Sequence, residues 1–209
     1  MSKQAILSRV KSSLQSNPIP TFAPHYKNIM IKNEDKIQEY INYQSANKAI
    51  VHQSNEATLA KDLQEILSQT NAQKVLYNPN IDVDMETIQG AFTKVAYTQS
   101  VDEIRDELFG IDTSIIQANC GVANLGIIGI TSGLTSPRLS SLITNTCIVL
   151  LKKQNIVENL YEGVKFLRGD SNVAPTNLIL IAGPSRTADI ELQTVFGVHG
   201  SRNTHVILY

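Results

Sequence analysis

The residues best suited to chemistry lie in one short segment near the C-terminus. The segment Ile181–Glu191 runs from the end of a predicted buried strand, Leu178–Ile181, through a Gly-Pro turn into a polar cluster and a predicted helix. In open α/β sheets, ligands bind where parallel strands end, because the free N–H groups of the following helix attract anions. Arg186 can hold a carboxylate or phosphate through two parallel hydrogen bonds. The residues predicted to bind a ligand here are Gly183, Ser185, Arg186, Thr187, Asp189 and Glu191.

These polar residues also have a structural interpretation. Ser185 or Thr187 can cap the predicted helix, with Asp189 or Glu191 in its first turn. The two interpretations are compatible, so both stay open.

A histidine follows in a glycine-rich turn before the last predicted strand. Gly197 and Gly200 flank the turn that carries His199, and glycine permits close approach of the backbone to another group. We expect the turn to present His199 toward the strand end that carries Arg186, where it would be the catalytic proton carrier. The alternative is a hydrogen-bonded structural histidine.

The other histidines and the cysteines give weaker signals. His205, inside the last strand, is predicted to be a core or sheet-face residue, and His52 has no neighbours in the sequence that suggest chemistry. Cys120 and Cys147 lie far apart, without a C-x-x-C pair or a histidine at zinc spacing. We therefore predict buried free thiols and no metal site.

A third polar cluster lies in the middle of the chain. The glycines of Gly121–Gly126 do not follow the G-x-G-x-x-G order, and the chain has no Walker sequence, so nothing local requires NAD or ATP. Arg138 begins a short helical stretch and can either face an anion or pair with an acid. We include it among the predicted ligand-binding residues.

The elements that position these residues alternate along the chain. From residue 34 to 209, helical and strand patterns follow one another, which predicts one α/β domain with a mostly parallel sheet flanked by helices. Residues 1–33 form a separate N-terminal arm. There Ile6, Leu7, Val10 and Leu14 recur at helical spacing, and a proline-rich connector follows. The arm either packs on its own domain or contacts a partner subunit.

Charge and composition exclude several classes of protein. The formal net charge is -1 and the pI about 6.4, which argues against bulk nucleic-acid binding. No apolar stretch approaches the roughly 20 residues that span a bilayer, and the N-terminus lacks the apolar centre of a secretory signal. We therefore expect a cytoplasmic protein without a membrane span. The arm carries five bases and no acid, whereas the remainder has 13 bases and 19 acids.

The C-terminal motifs resemble those of the LUD-domain family. The resemblance lies in Gly183–Glu191, in Gly197–Gly200 and in His205–Leu208, and it extends back through Arg138–Leu142 to Gly121–Ala123. It implies an α/β fold similar to that of NagB, RpiA and CoA transferases. It also implies a role with two iron–sulfur partners in the oxidation of L-lactate to pyruvate. One partner is a cysteine-rich protein with CCG motifs, and the other is ferredoxin-like.

The resemblance implies that this chain is the subunit without a cluster. An iron–sulfur cluster normally takes four cysteine ligands, and this chain has two cysteines. We therefore expect no cofactor bound by this chain and clusters in the partner subunits.

The chain departs from the family pattern in the middle. Where the family usually reads Gly-Ile-Ala-Glu-Thr-Gly-Thr, this chain has Asn124, Leu125 and Ile127 in place of an acid and two hydroxyls. Where the family usually has Pro-Pro-Val-His, Cys147 replaces the histidine. If these positions line a site, its ligand or its activity has changed.

Three functions remain open from the sequence. The first is a subunit of an L-lactate oxidation system that binds a small carboxylate at Arg186. The second is a separate binding protein or enzyme for a phosphorylated or nucleotide ligand. The third is a non-catalytic scaffold whose basic arm binds an acidic partner.

Overall fold

The structure, a computed structural model, describes residues 2–17, 33–169, 175–188 and 193–209. The chain divides into two compact units, Met1–Ile31 and Lys32–Tyr209. Most of the predicted proline-rich connector lies outside the described residues. Among the described residues, none of the helices combines the length and the apolar character that crossing a bilayer requires.

In the first unit, the predicted helix is present as α1 (Lys3–Ser16). The Ser2 hydroxyl caps it by accepting the backbone N–H of Ala5 at 3.3 Å. No residue of α1 is buried. Its four apolar side chains, at helical spacing, therefore remain exposed.

The second unit contains four helices, twelve strands and several 3₁₀ turns in its described part. The helices are α2 (Lys36–Ala46), α3 (Leu59–Gln69), α4 (Val101–Leu108) and α5 (Leu160–Arg168). The strands are β1 (Ile50–Gln53), β2 (Lys74–Tyr77), β3 (Thr93–Ala96), β4 (Thr113–Gln117), β5 (Cys120–Val122), β6 (Ile127–Ser132), β7 (Thr146–Leu151), β8 (Ile156–Val157), β9 (Asn177–Ile181), β10 (Arg186–Thr187), β11 (Val195–Phe196) and β12 (Asn203–Leu208).

The main sheet confirms the predicted fold class. Its six strands are all parallel, in the order β1-β12-β7-β4-β2-β3. Every residue of the central strand β7 is buried. Such strands need cover on both faces, and this explains their continuous apolar sequences.

Each face of the main sheet has its own apolar core. On one face, Val149 of β7 and Val206 of β12 pack with Tyr40 of α2 and with residues of the second sheet. On the other face, Leu150 of β7 packs with Leu63 and other residues of α3. The alternation of side chains along β7 and β12 thus supplies both cores.

A second, mixed sheet has the order β8-β5-β6-β9. The sequence predicted that Leu178–Ile181 is a buried strand of the parallel sheet, and this is wrong. The strand β9 pairs with β6 in antiparallel register at the edge of the second sheet, and Leu180 is 40% exposed. Its alternate side chains Ile179 and Ile181 pack on the core that contains Tyr40 and Val149.

Two histidines meet on the main sheet. Nε2 of His52 on β1 lies 3.0 Å from Nδ1 of His205 on β12, and the rings are inclined by 11°. His205 is buried, as predicted for a sheet-face residue. The expectation that His52 has no chemically suggestive neighbour is wrong, because its partner is 153 residues away in the sequence.

Both histidines favour the neutral form in the folded protein. Burial, reinforced by the neighbouring His52, lowers the pKa of His205 to about 4. Burial likewise lowers the pKa of His52. At most one proton can lie between the facing nitrogens, so both rings cannot be charged at once in this geometry.

We predict that acid destabilises the protein through this pair. A depressed histidine pKa gives stability that is present above the unfolded value near 6.5 and is lost as the pH falls toward the folded value. His205 alone would remove about 2 kcal/mol of unfolding free energy between pH 7 and pH 5. Urea unfolding of the wild type and of His205→Leu at both pH values measures this. An unchanged pH dependence in His205→Leu would contradict the assignment.

Candidate functional site

A cavity of about 370 Å³ lies where four backbone segments of the second unit meet. These segments are residues 141–142, the first residues of β7, the end of β9 with the turn after it, and residues 199–204, which lead into β12. The residues whose polar groups line it are Ser141, Cys147, Ser185, Arg186, His199, Ser201 and Thr204, and the apolar wall includes Leu142, Val149, Ile179 and Ile181. The structure therefore places the two principal predicted residues, Arg186 and His199, in one cavity.

Backbone hydrogen bonds join the two turns of this cavity. The Ser185 N–H donates to the Ser201 carbonyl at 2.9 Å, and the Gly197 N–H donates to the Ser185 carbonyl at 3.0 Å. The short strands β10 and β11 continue the pairing, with Arg186 opposite Phe196. Arg186 and His199 thus belong to one hydrogen-bonded ribbon.

Gly183 fixes the position of this ribbon against the end of α2. It has φ +71°, and a Cβ atom there would lie 2.2 Å from the backbone carbonyl oxygen of Asn47. Only glycine combines this conformation with so close an approach. The side-chain amide of Asn47 also donates to the backbone carbonyls of Leu125 and Gly126. Gly183 was predicted to bind ligand, and its geometry shows a packing role at the cavity wall.

The cavity favours an anion on electrostatic grounds. Arg186 is the one lining residue with a permanent charge among those that the structure describes, and no described lining residue is an acid. The guanidinium of Arg186 donates through Nη2 to the Ala182 carbonyl at 3.1 Å. This contact uses one of its five N–H donors.

Hydroxyl groups add neutral hydrogen-bonding capacity. Ser201 is 6% exposed, and its Oγ atom has no partner among the described residues. A buried hydroxyl without a partner loses about 1–3 kcal/mol of solvation. A ligand oxygen in the cavity would restore that hydrogen bond.

Cys147 lines the cavity but is a poor nucleophile. Burial raises the pKa of its thiol to about 11, so the group stays protonated at neutral pH. Both cysteines are free and buried, which confirms the prediction for them. Of the positions that depart from the family pattern, Cys147 is the one in this cavity wall.

Some predicted site residues lie elsewhere. Thr187 and Arg138 do not line the cavity, and their binding roles stay predictions. Asp189 and Glu191 lie outside the described residues. Arg138 does contribute indirectly, because its carbonyl accepts the hydroxyl of Ser141 at 2.8 Å.

The location of the cavity corrects one expectation. The segment after β9 was predicted to follow a parallel strand and to begin a helix, whereas β9 is antiparallel to β6 and the described residues 183–188 contain no helix. The cavity lies at the amino ends of β7 and β12.

The carboxyl end of the main sheet holds a closed network instead. Asp82 accepts a hydrogen bond from the Tyr209 hydroxyl at 2.9 Å and forms an ion pair with Lys152 at 2.6 Å. The Gln117 side chain donates to the Tyr209 hydroxyl at 2.9 Å. The hydrogen bond from Lys152 is the main cause that lowers the pKa of Asp82. These groups satisfy one another.

The residues missed by sequence reasoning are Ser201 and Thr204, together with Ser141. Ser201 and Thr204 come from one segment and Ser141 from another, and only folding brings the two segments together at the cavity. The predicted site included Arg138 from the segment that contains Ser141, because an arginine can bind an anion. It did not include Ser141 itself.

The family model of the LUD domain matches residues 29–209. The chain belongs to the LUD-domain family. This agrees with the motifs on both sides of the cavity, at Gly183–Arg186 and Gly197–Gly200.

Individual proteins give the range of similarity within the family. An uncharacterized protein of Neisseria meningitidis serogroup B is 35% identical over 117 residues, which cover 54% of this chain and 49% of that protein. The matched segment thus spans about half the length of that relative. A lactate utilization protein C of Macrococcus caseolyticus is 25% identical over 99% of this chain and 95% of its own length.

A solved structure shows the same fold. The crystal structure of a DUF162 family protein from Deinococcus radiodurans covers 86% of this LUD-domain chain and 99% of its own, with a TM-score of 0.63 and 18% identity. At this identity the likeness concerns the fold alone.

We predict that Gly183→Ala destabilises this LUD domain and distorts the cavity. Both the left-handed backbone and the approach to Asn47 oppose a methyl group, with an expected loss of about 2 kcal/mol or more. Gly133→Ala is the matched control, because a Cβ atom there meets nothing within 4 Å. Urea unfolding of both variants measures the difference. Equal stabilities would show that the Gly183 turn moves freely.

Proposed function

We propose that this chain takes part in lactate utilization, as the cluster-free subunit of an iron–sulfur system that oxidises L-lactate to pyruvate. The cavity between the Gly183 and His199 turns would bind the small carboxylate. Support comes from family membership and from the relative named lactate utilization protein C that aligns along nearly the whole chain. The partners, the electron transfer and the bound acid belong to the proposal.

The observation that carries the proposal is the charge arrangement of the cavity. Arg186 lines a cavity that has no acid among its described lining residues. A carboxylate forms charge-assisted hydrogen bonds with guanidinium that are about twice as strong as neutral ones. The Ser185 and Ser201 hydroxyls can bind the remaining oxygens of a hydroxy acid.

His199 is the proposed proton acceptor. Lactate loses two protons and two electrons when it becomes pyruvate. In the proposal, the His199 imidazole takes the hydroxyl proton, and the C2 proton passes to solvent. Iron–sulfur clusters, if held by the two partner subunits, one with CCG motifs and one ferredoxin-like, would supply the electron acceptor.

The size of the cavity favours a second candidate ligand. Its 370 Å³ equals about twelve water volumes of roughly 30 Å³ each, whereas lactate has six non-hydrogen atoms. A larger anion, such as a phosphorylated or nucleotide ligand, would fill the cavity better. The shared requirement is an anionic group at Arg186.

We predict that Arg186→Gln weakens binding of the anion. Loss of a charged hydrogen-bond donor would lower affinity roughly ten- to a hundredfold. Titration calorimetry and thermal shift with lactate, pyruvate, phosphate and nucleotides measure this, since ligand at 100 times its Kd adds roughly 2.7 kcal/mol of stability.

Two further variants separate the roles. Arg168→Gln, at the exposed end of α5, is the matched control and should bind like the wild type. His199→Gln should retain binding but lose lactate oxidation in the reconstituted system. If Arg186→Gln binds every anion as tightly as the wild type, the cavity is not the binding site.

We predict that the tagged chain purifies from its native host with two iron-containing proteins. Iron and acid-labile sulfide in the purified complex, with lactate-dependent reduction of the clusters, would support the proposed subunit role. The Arg186→Gln complex should contain the same iron but show no reduction by lactate. Purification of the chain alone, without iron, from cells grown on lactate would contradict the subunit role.

A further inference from the structure

The cavity of the candidate site changes in character from its mouth to its interior. Arg186 and His199 are exposed and lie at the mouth. Ile179 and Ile181 of β9 also line the cavity, and both are partly buried and pack on the core that contains Val149. A ligand that fills the cavity therefore meets a cation on the solvent side and hydrocarbon on the inner side.

The apolar wall continues into the main sheet. Cys147 and Val149 of β7 are 2% and 0% exposed and belong to the same core, and a protonated thiol behaves as a small apolar group. Two hydroxyls border this wall. Ser141 donates to the Arg138 carbonyl, and Thr204 lies opposite Cys147 in the register of β12 and β7. Because polar groups lose solvation against hydrocarbon, the wall favours an apolar part of a ligand.

One buried hydroxyl of the cavity has no partner among the described residues. It belongs to Ser201, which is 6% exposed. The Ser201 carbonyl accepts the Ser185 N–H at 2.9 Å, so Ser201 lies beside the residue that precedes Arg186. A ligand held at Arg186 would bring a hydroxyl next to its carboxylate toward Ser201.

The size of the cavity sets the size of the apolar part. Its 370 Å³ lies at the lower end of the range for small-molecule sites, about 300–1,000 Å³. The apolar group of lactate is a single methyl, which leaves most of the wall formed by Ile179, Ile181 and Val149 uncovered. A substituent several carbons longer would cover it.

We propose that the cavity binds 2-hydroxy acids whose apolar substituent is larger than the methyl group of lactate. The carboxylate lies at Arg186, the 2-hydroxyl at Ser201, and the substituent against Ile179 and Ile181. The inference rests on the proposed function for the anion at Arg186 and adds the class of ligand. A phosphorylated or nucleotide ligand would place polar groups against the apolar wall, which is unfavourable.

The first experiment measures binding along a homologous series. Titration calorimetry of the full chain uses L-lactate, L-2-hydroxybutanoate, L-2-hydroxypentanoate and L-2-hydroxyhexanoate. Each added methylene that becomes buried should lower the Kd roughly fourfold. Arg186→Gln should weaken binding of every acid by a similar factor and leave the ratios between them unchanged.

The outcomes separate this inference from the proposed function. If the Kd does not fall along the series, or if phosphate or a nucleotide binds more tightly than every acid, the inference is wrong although Arg186 still binds an anion. If Arg186→Gln binds all the acids like the wild type, both are wrong. If the Kd falls along the series but the chain purifies from its host without iron-containing partners, the ligand class is supported and the subunit role is not.

Variants of the wall locate the apolar substituent. Ile179→Thr and Ile181→Thr should reduce the gain per methylene and change lactate binding little. Leu178→Thr is the matched control, because Leu178 is on the same strand and partly buried but does not line the cavity. Circular dichroism checks that each variant is folded. An undiminished gain in both folded isoleucine variants would contradict the proposal.

A serine variant tests recognition of the 2-hydroxyl and does not disturb the apolar wall. The wild type should bind 2-hydroxyhexanoate roughly tenfold more tightly than hexanoate, and Ser201→Ala should lose this preference. Because the Ser201 hydroxyl has no partner to lose, Ser201→Ala should fold at least as stably as the wild type. Ser136→Ala is the matched control, since the Ser136 hydroxyl is also buried without a described partner but lies outside the cavity lining. A preference that persists in Ser201→Ala would overturn the assignment of the hydroxyl.

Discussion

The contact between Gly183 and the end of α2 is the constraint on which the candidate site depends. The Gly183 turn approaches the Asn47 carbonyl so closely that no side chain fits between them. Asn47 also binds the carbonyls that precede β6, and the first residues of β6 in turn pair with the last residues of β9. The end of α2 therefore positions the end of β9 both directly and through β6. The turn that follows β9 places Arg186 at the cavity.

The hydrogen-bonded ribbon after Gly183 joins the turn that carries Arg186 to the turn that carries His199. Ser185 forms backbone hydrogen bonds with Ser201 and Gly197, so the turn that carries His199 moves with the turn that carries Arg186. Arg186 is exposed, and no acid among the described lining residues neutralises its charge, so the guanidinium stays available to an anionic ligand. The closed Asp82–Lys152–Tyr209 network at the opposite end of the sheet shows the contrary case, in which cation and acid satisfy each other.

The sequence predicted the fold better than the site, for a physical reason. Local periodicity determines whether a segment is a helix or a strand, and the alternation of the two predicted the parallel sheet. Periodicity does not determine which sheet an apolar strand joins, so Leu178–Ile181 was assigned to the wrong one. The His52–His205 pair and the contributions of Ser141, Ser201 and Thr204 depend on contacts between distant segments. No local pattern contains them.

The cavity shares two lining residues, His199 and Leu142, with an apolar groove formed by α4, Phe109 and residues 139–143. An occupant of the groove would therefore change the solvent exposure of His199, which is the proposed proton acceptor.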